Sequence, residues 1–234
     1  KLRRGLIRVN HKIVKSNYKV LANDVINISG YSEKIYSKIK IKKIKKSIPK
    51  RILEKFNNSV IYESNDFIVV DKWIGISVQG VNKFEISIAD IIRSISDEYS
   101  LVHRLDKETT GLLIISKNYK STKIIGQLFK DHEITKSYIA LCQGIPKNKN
   151  SIIKLGIKNK NSNKKLKTIT KYKVINTSKK ICLVLYQPLT GRMHQLRIVS
   201  KYLNSPIIGD RKYRINNEYL KEPLNLNAFY LKFT

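Results

Sequence analysis

Residues 137–142, 168–175 and 181–187 each alternate apolar and polar side chains with period two. That spacing commits the second half of the chain to half-buried β-strands. Shorter apolar runs at 60–62, 67–71, 112–116 and 227–233 predict more strands, and Ser64-Asn65-Asp66 between the first two suggests a hairpin. Two segments change to helical spacing. Within 119–132 the apolar positions are Ile124, Ile125, Leu128 and Phe129. After Thr190-Gly191 they are His194, Leu196, Ile198, Val199, Tyr202 and Leu203, with Asn204 and Pro206 ending the run. His132, beside Asp131 at the end of the first helix, reads as a C-terminal capping residue. Residues 59–234 are therefore expected to form one strand-rich domain, with 158–167, rich in Asn and Lys, as a surface loop.

The first part of the chain differs. Residues 6–9 and 12–14 flank Asn10-His11, a plausible tight turn, and Asn23-Asp24 leads into a further strand at 25–28 that Gly30 closes. So short a stretch cannot bury a core of its own, so 1–31 is expected to be the C-terminal part of a small module that begins upstream of Lys1. From 32 to 58 the chain reads as a basic linker, with ten Lys or Arg between Lys34 and Lys55. Such a linker is either simply solvated or crosses phosphates.

The formal net charge of +30 favours a polyanionic partner, most naturally a nucleic acid. Lys outnumbers Arg by 37 to 10, as A/T-rich codons would produce, so part of the excess needs no partner. No apolar run reaches the roughly 18–20 residues of a membrane helix. Cys142 and Cys182 match no metal or redox spacing, which points to a reducing, cytoplasmic setting and buried apolar roles.

Two segments could carry chemistry. In the first, His103-Arg104-Leu105-Asp106 runs into Thr109-Thr110-Gly111 and an apolar strand. Asp106 is there either a nucleophile or base at a strand edge, or an ordinary turn cap. In the second, Thr190-Gly191-Arg192-Met193-His194-Gln195-Leu196-Arg197 opens a helix whose basic residues either bind phosphate or form a solvated face. No Gly-x-Ser-x-Gly elbow supports a hydrolase, and His11, His103, His132 and His194 are too scattered for a metal site. An RNA-binding protein without activity would explain the charge, but would not need Asp106, Tyr138 and Arg197 together.

Taken with Lys136-Ser137-Tyr138 and with Gly209-Asp210 followed by Tyr213, these segments closely resemble the RluA-type pseudouridine synthases. The residues Gly5 to Asn10, Lys12 and Asn23-Asp24-Val25 are similar to the second half of a small RNA-binding module that precedes the catalytic domain in the branch acting on large-subunit ribosomal RNA. The resemblance implies an α+β fold: a mixed, mainly antiparallel β-sheet catalytic domain with flanking helices, preceded by part of that module. It implies a cytoplasmic, monomeric isomerase of structured RNA, needing no cofactor and no metal. Asp106 would be the nucleophile, Arg197 its partner, and Tyr138 a residue lying against the flipped base. Arg104 would fill the stack that the base leaves, while His103, Arg192, His194 and Lys136 would contact RNA. Lys201, Arg211, Lys212 and Arg214 are further candidates for phosphate contacts. Thr110 stands where the family usually has Ser, and Asp71-Lys72-Trp73 where it usually has Asn-Lys-Pro.

Overall fold

The computed structural model describes residues 5–30, 32, 46–80, 84–158 and 165–233; residues 33–45 of the expected linker and 159–164 of the expected loop lie outside the described residues. The chain divides into two compact units, Lys1–Ile44 and Lys45–Thr234.

In the first unit, β1 (Ile7–Val9) pairs antiparallel with both β2 (Lys12–Ile13) and β3 (Ile26–Ile28). Asn10 and His11 form the turn between β1 and β2, with φ of 49° and 65°. Two left-handed residues in succession are what a two-residue hairpin needs to match the strand twist, and Asn is among the few side chains that accept it. The Asn10 side chain also accepts the Val25 N–H at 2.9 Å and donates to Asp24 Oδ1 at 2.7 Å, which sets the approach to β3.

The second unit is built on one sheet, whose nine described strands run β4 (Val60–Glu63), β5 (Phe67–Lys72), β7 (Thr110–Ser116), β12 (Leu226–Lys232), β8 (Thr135–Gln143), β11 (Ile181–Pro188), β10 (Lys165–Ser178) and β9 (Asn150–Lys158), with β6 (Ser100–Leu101) also on β7. Among the described strand pairs only β7–β12 is parallel. Four helices among the described residues cover it: α1 (Lys50–Asn58), α2 (Ile88–Ile95), α3 (Tyr119–Lys130) and α4 (Gln195–Tyr202). Leu113 and Ile115 of β7 join the core beneath α1 and α2, while Ile114 between them packs with Ile125 of α3. Alternate residues of a strand point to opposite faces, so β7 is covered on both. That double burial is why 112–116 reads as a continuous apolar run rather than an alternating one. A second core, including Val184, Tyr186, Leu196 and Val199, joins β11 to α4.

Four elements were not expected, one of them the two-residue strand β6. Lys50–Asn58, placed in the basic linker, is a helix, because Phe56 is buried in the main core and Ile52 and Leu53 pack beside it. Helix α2 carries Ile88, Ile91, Ile92 and Ile95 at helical spacing with Asp90, Arg93 and Ser94 between them, a period that the sequence reading passed over, and it opens on a capping box. There Ser87 Oγ accepts the Asp90 N–H, and Asp90 Oδ2 accepts the Ser87 N–H at 3.0 Å. Strand β9 is an edge strand, with Ile152, Ile153, Leu155 and Ile157 between its polar residues, paired along its length with β10. Lys158 and Lys165, Leu166 and Lys167, read as loop, extend that ladder.

The last strand, β12, inserts at the centre of the sheet between β7 and β8. Ala228 pairs with Gly111 of β7 and with Tyr138 of β8, so the segments flanking Asp106 and Tyr138 meet at this seam. Thr110 fastens it, donating to the Leu226 carbonyl at 3.3 Å and accepting from Asn227 Nδ2 at 2.9 Å. Gly111 has φ of 102°, and a Cβ there would collide with the Ala228 backbone. Gly111→Ala is accordingly expected to destabilise the second unit by about 2–3 kcal/mol, from strain and overpacking together. Chemical denaturation would measure it, and a change below about 0.5 kcal/mol would mean that the seam is looser than it looks.

Candidate active site

Above the seam lies a cleft of roughly 580 Å³, within the range of small-ligand sites. Its wall includes all eight residues singled out from the sequence: His103, Arg104, Asp106, Lys136, Tyr138, Arg192, His194 and Arg197. Lys201, Arg211, Lys212 and Arg214 do not line it. Three loop or helix starts and the beginning of β8 converge here because the sheet order brings them together, although they are distant in sequence.

Asp106 sits on the loop between β6 and β7, which is pinned at several points. The Leu105 side chain is buried in the core, and the Thr109 N–H donates to the Asp106 carbonyl at 3.1 Å. His103 Nε2 accepts the Ile114 N–H at 2.8 Å, one residue beyond the last β6–β7 pair. That ring is stacked on Phe129 at 4.4 Å between centroids, and burial followed by the nearby Lys136 charge pushes its pKa down to about 3. The neutral imidazole, its Nε2 already accepting, braces β7 and carries no positive charge to the cleft wall, where its Nδ1 is the remaining donor.

A residue that sequence reasoning passed over completes the loop. Lys72, at the end of β5, is fully buried, and its ammonium donates to the carbonyls of Trp73, Ile76 and Lys107, each at 3.1 Å. The Gly75 N–H reaches the same Lys107 carbonyl at 3.0 Å. Three donors are thus spent on three backbone acceptors, one of them next to Asp106 in the chain. Burial lowers the Lys72 pKa from 10.5 to about 8, against the opposing pull of Glu108 and Asp106. The unfolded chain therefore holds this proton up to higher pH than the folded one, and Lys72 favours folding increasingly as pH rises from about 8 towards the free lysine value. Relative to Lys72→Met, the wild-type protein should gain up to roughly 3 kcal/mol across that window. Unfolding free energies of the two proteins at pH 7.5 and 10 would check this; a constant difference would contradict it.

The Asp106 carboxylate receives no hydrogen bond from any described residue, so it does not act as a turn cap. The ion-pair contact found for it is His194 Nε2, 3.8 Å from Oδ2. Tyr138 stands opposite, its phenol pushed up to about 12 by burial and then by the Asp106 charge, and so protonated at neutral pH. Lys136 is held down by burial and lies 5.9 Å from the Phe129 ring centroid. Arg104 and Arg192 are exposed at the cleft.

Arg197 is not paired with Asp106 as expected. Its Nε and Nη2 donate to the two carboxylate oxygens of Asp210, each at 2.7 Å, and both residues are buried. Asp210 Oδ1 also accepts the N–H groups of Lys212 and Tyr213, at 2.8 and 2.9 Å. Burial opposes both charges, but the paired hydrogen bonds and mutual attraction outweigh it, leaving the Arg197 pKa raised and that of Asp210 lowered. A bidentate fork of this kind fixes a guanidinium in one plane. Arg197 then acts on Asp106 through space, as a charge held rigidly near it.

The turn entering α4 is locked by Gln195, also unremarked in the sequence. Its Oε1 accepts from Thr190 Oγ1 at 2.8 Å and the Arg192 N–H at 3.0 Å, and its Nε2 donates to the Ile169 carbonyl and Thr170 Oγ1. Its position inside a Gly-Arg-x-His-Gln helix start was the available signal. Met193, exposed, and His194 are thereby presented to the cleft. At the end of α3, His132 has φ of 62°, and the following Glu133 N–H reaches back to the Leu128 carbonyl at 3.0 Å, so it occupies the C-terminal cap. Among the described residues no cluster of three or more His, Cys, Asp or Glu side chains is placed to hold a metal ion, and no helix is long and apolar enough to cross a membrane.

The description "RNA pseudouridylate synthase" matches residues 66–202. The ribosomal large subunit pseudouridine synthase C of Buchnera aphidicola subsp. Baizongia pistaciae (strain Bp) is 34% identical, covering 98% of this chain and 76% of that protein. The protein of the same name from Rickettsia bellii (strain RML369-C) is also 34% identical, over 91% of this chain and 75% of its own length. Among solved structures, human RNA pseudouridylate synthase domain containing 4 has the same fold, with a TM-score of 0.68 at 22% identity over 78% of this chain and 87% of that one.

Proposed function

Because this chain belongs to the RNA pseudouridylate synthase family, and is therefore an isomerase of RNA uridines, we propose that it modifies specific uridines of large-subunit ribosomal RNA with Asp106 as nucleophile. The observation that carries the nucleophile is the Asp106 carboxylate itself: unbonded, in a cleft, with Arg197, His194 and the protonated Tyr138 near it and Lys136 elsewhere on the same wall. A carboxylate that no donor holds is a poor structural element and a suitable nucleophile. The fork with Asp210 holds the Arg197 charge in a fixed place near Asp106.

In the reaction the C1′–N1 glycosidic bond breaks, the uracil turns, and a C1′–C5 bond forms. C5 then loses its proton and N1 gains one, so the product is an isomer and no electrons are transferred overall. A target in folded RNA must first leave its stack, at a cost of about a few kcal/mol. The exposed Arg104 is suited to fill the gap, and the Tyr138 ring to lie against the extruded base. Arg192 and Lys136 are suited to flanking phosphates. We take the enzyme to act in the cytoplasm, in keeping with its two free cysteines, and as a monomer.

The large-subunit assignment rests on the relatives' substrate and on the small N-terminal sheet. Its test is to incubate the full chain with protein-free large-subunit ribosomal RNA and, separately, with bulk transfer RNA, and to map pseudouridine in each. New pseudouridine in the ribosomal RNA at one or a few positions is expected. Modification of transfer RNA alone would overturn the assignment.

A further inference from the structure

His194 was expected to contact RNA, but its surroundings give it a different task. It occupies the N-cap of α4 with φ of 55°, a left-handed backbone that few side chains other than Gly and Asn adopt readily. Both ring nitrogens have neighbours. Nδ1 lies 3.0 Å from the Tyr213 hydroxyl, whose ring packs edge-on at 5.6 Å, and Nε2 faces Asp106 Oδ2 at 3.8 Å. Arg197, Asp210 and Lys212 are the other charged groups around it. The Arg197 fork is committed to Asp210, so among the described residues His194 is the group positioned to orient the Asp106 carboxylate.

We propose that His194, with Tyr213 donating to Nδ1, is a positioning residue whose Nε2–H holds Oδ2 of Asp106 and leaves Oδ1 as the attacking oxygen. The inference rests on Asp106 being the nucleophile. The hydrogen bond that one ring nitrogen makes sets the tautomer of the other. With the phenol as donor, Nε2 carries the proton. Tyr213 is kept protonated mainly by burial, with Asp210 and Asp106 adding to the effect against Arg197. A separation of 3.8 Å is an electrostatic contact rather than a hydrogen bond. Such contacts are often long before substrate seats and tighten in the reactive complex.

The backbone at residue 194 makes the test selective. Asn tolerates φ of 55° better than Gln, but its short amide cannot reach where Nε2 stands; Gln strains the backbone and does place an amide N–H near that point. A purely structural role therefore predicts that His194→Asn is the more active variant, whereas the positioning role predicts that His194→Gln is. The readout is single-turnover pseudouridine formation at saturating RNA, with RNA affinity measured separately. Loss of carboxylate aim should lower the rate of His194→Asn on the order of 100-fold at unchanged affinity. His194→Gln should retain at least about ten times the His194→Asn rate, consistent with a donor restored in part. Equal rates, or a faster Asn variant, would overturn the proposal while the nucleophile assignment stood. If either variant fails to fold, Tyr213→Phe decides: a slower step at unchanged affinity supports the relay, and an unchanged step overturns it. Failure of Asp106 as nucleophile would show instead as turnover by Asp106→Asn.

Discussion

Asp210→Ala is expected to destabilise the second unit by about 3–5 kcal/mol, because it leaves the buried Arg197 guanidinium without a counter-charge. Asp210 is 3% exposed and Arg197 9%, so little water is available to replace the lost carboxylate. Two backbone donors, at Lys212 and Tyr213, lose their acceptor in the same step. For a unit of this size the loss corresponds to a fall in Tm of about 10 °C or more. Asp210 has little freedom to be replaced from elsewhere, since Gly209 before it has φ of 79° and a Cβ there would collide with the Pro223 carbonyl. The pH dependence has a definite sign. A carboxylate whose folded pKa is lowered stabilises the protein above its unfolded value of about 3.9, and that contribution is lost as pH falls through the folded value. The gap between wild type and Asp210→Ala should therefore be full at pH 7 and close only below about pH 4. Thermal unfolding at pH 7 and pH 3 checks both parts; equal melting temperatures at pH 7 would mean that the fork contributes no stability.

Asp106→Asn is expected to behave in the opposite way, keeping the fold and losing the chemistry. The carboxylate accepts no hydrogen bond from the described residues, so an isosteric amide removes no structural contact, and stability should change by less than about 0.5 kcal/mol. The rate of pseudouridine formation should fall on the order of 10⁴-fold or more, the scale seen when a nucleophile is removed. Binding of RNA should persist, because Arg104, Lys136 and Arg192 are untouched. Filter binding and single-turnover kinetics on one preparation separate the two effects. A variant that bound RNA and still turned over within tenfold of wild type would exclude Asp106 as the nucleophile.

Much of this architecture is legible in the chain because local pattern and tertiary environment agree. The alternation at 137–142 and 181–187 survives as β8 and β11, since each strand turns one face to the core beneath α4. The Asn10-His11 turn is specified by the conformations that those two residues accept. Helix α1 was hidden because its basic residues obscured three core contacts, whereas α2, with Ile88, Ile91, Ile92 and Ile95 at helical spacing against Asp90, Arg93 and Ser94, was legible and was passed over. The members of the cleft were named from their motifs, yet their pairings were not. Arg197 takes Asp210 rather than Asp106, and His194 faces the carboxylate in its place. Those choices depend on where β12 crosses the sheet and how the loop carrying Asp210 folds against α4, neither of which any short segment encodes. Lys72 is the plainest case: named only as part of Asp71-Lys72-Trp73, it gives no sign in sequence that the loop carrying Asp106 closes over it.

The most direct measurement of the central claim is tritium release from RNA labelled at uridine carbon 5. That atom gives up its hydrogen only if the base is rejoined to the sugar through it. The wild-type chain should release tritium from large-subunit ribosomal RNA in step with pseudouridine appearing, and the folded, RNA-binding Asp106→Asn variant should release none. Release by the variant at the wild-type rate, or no release by a folded wild-type protein that binds the RNA, would contradict the account.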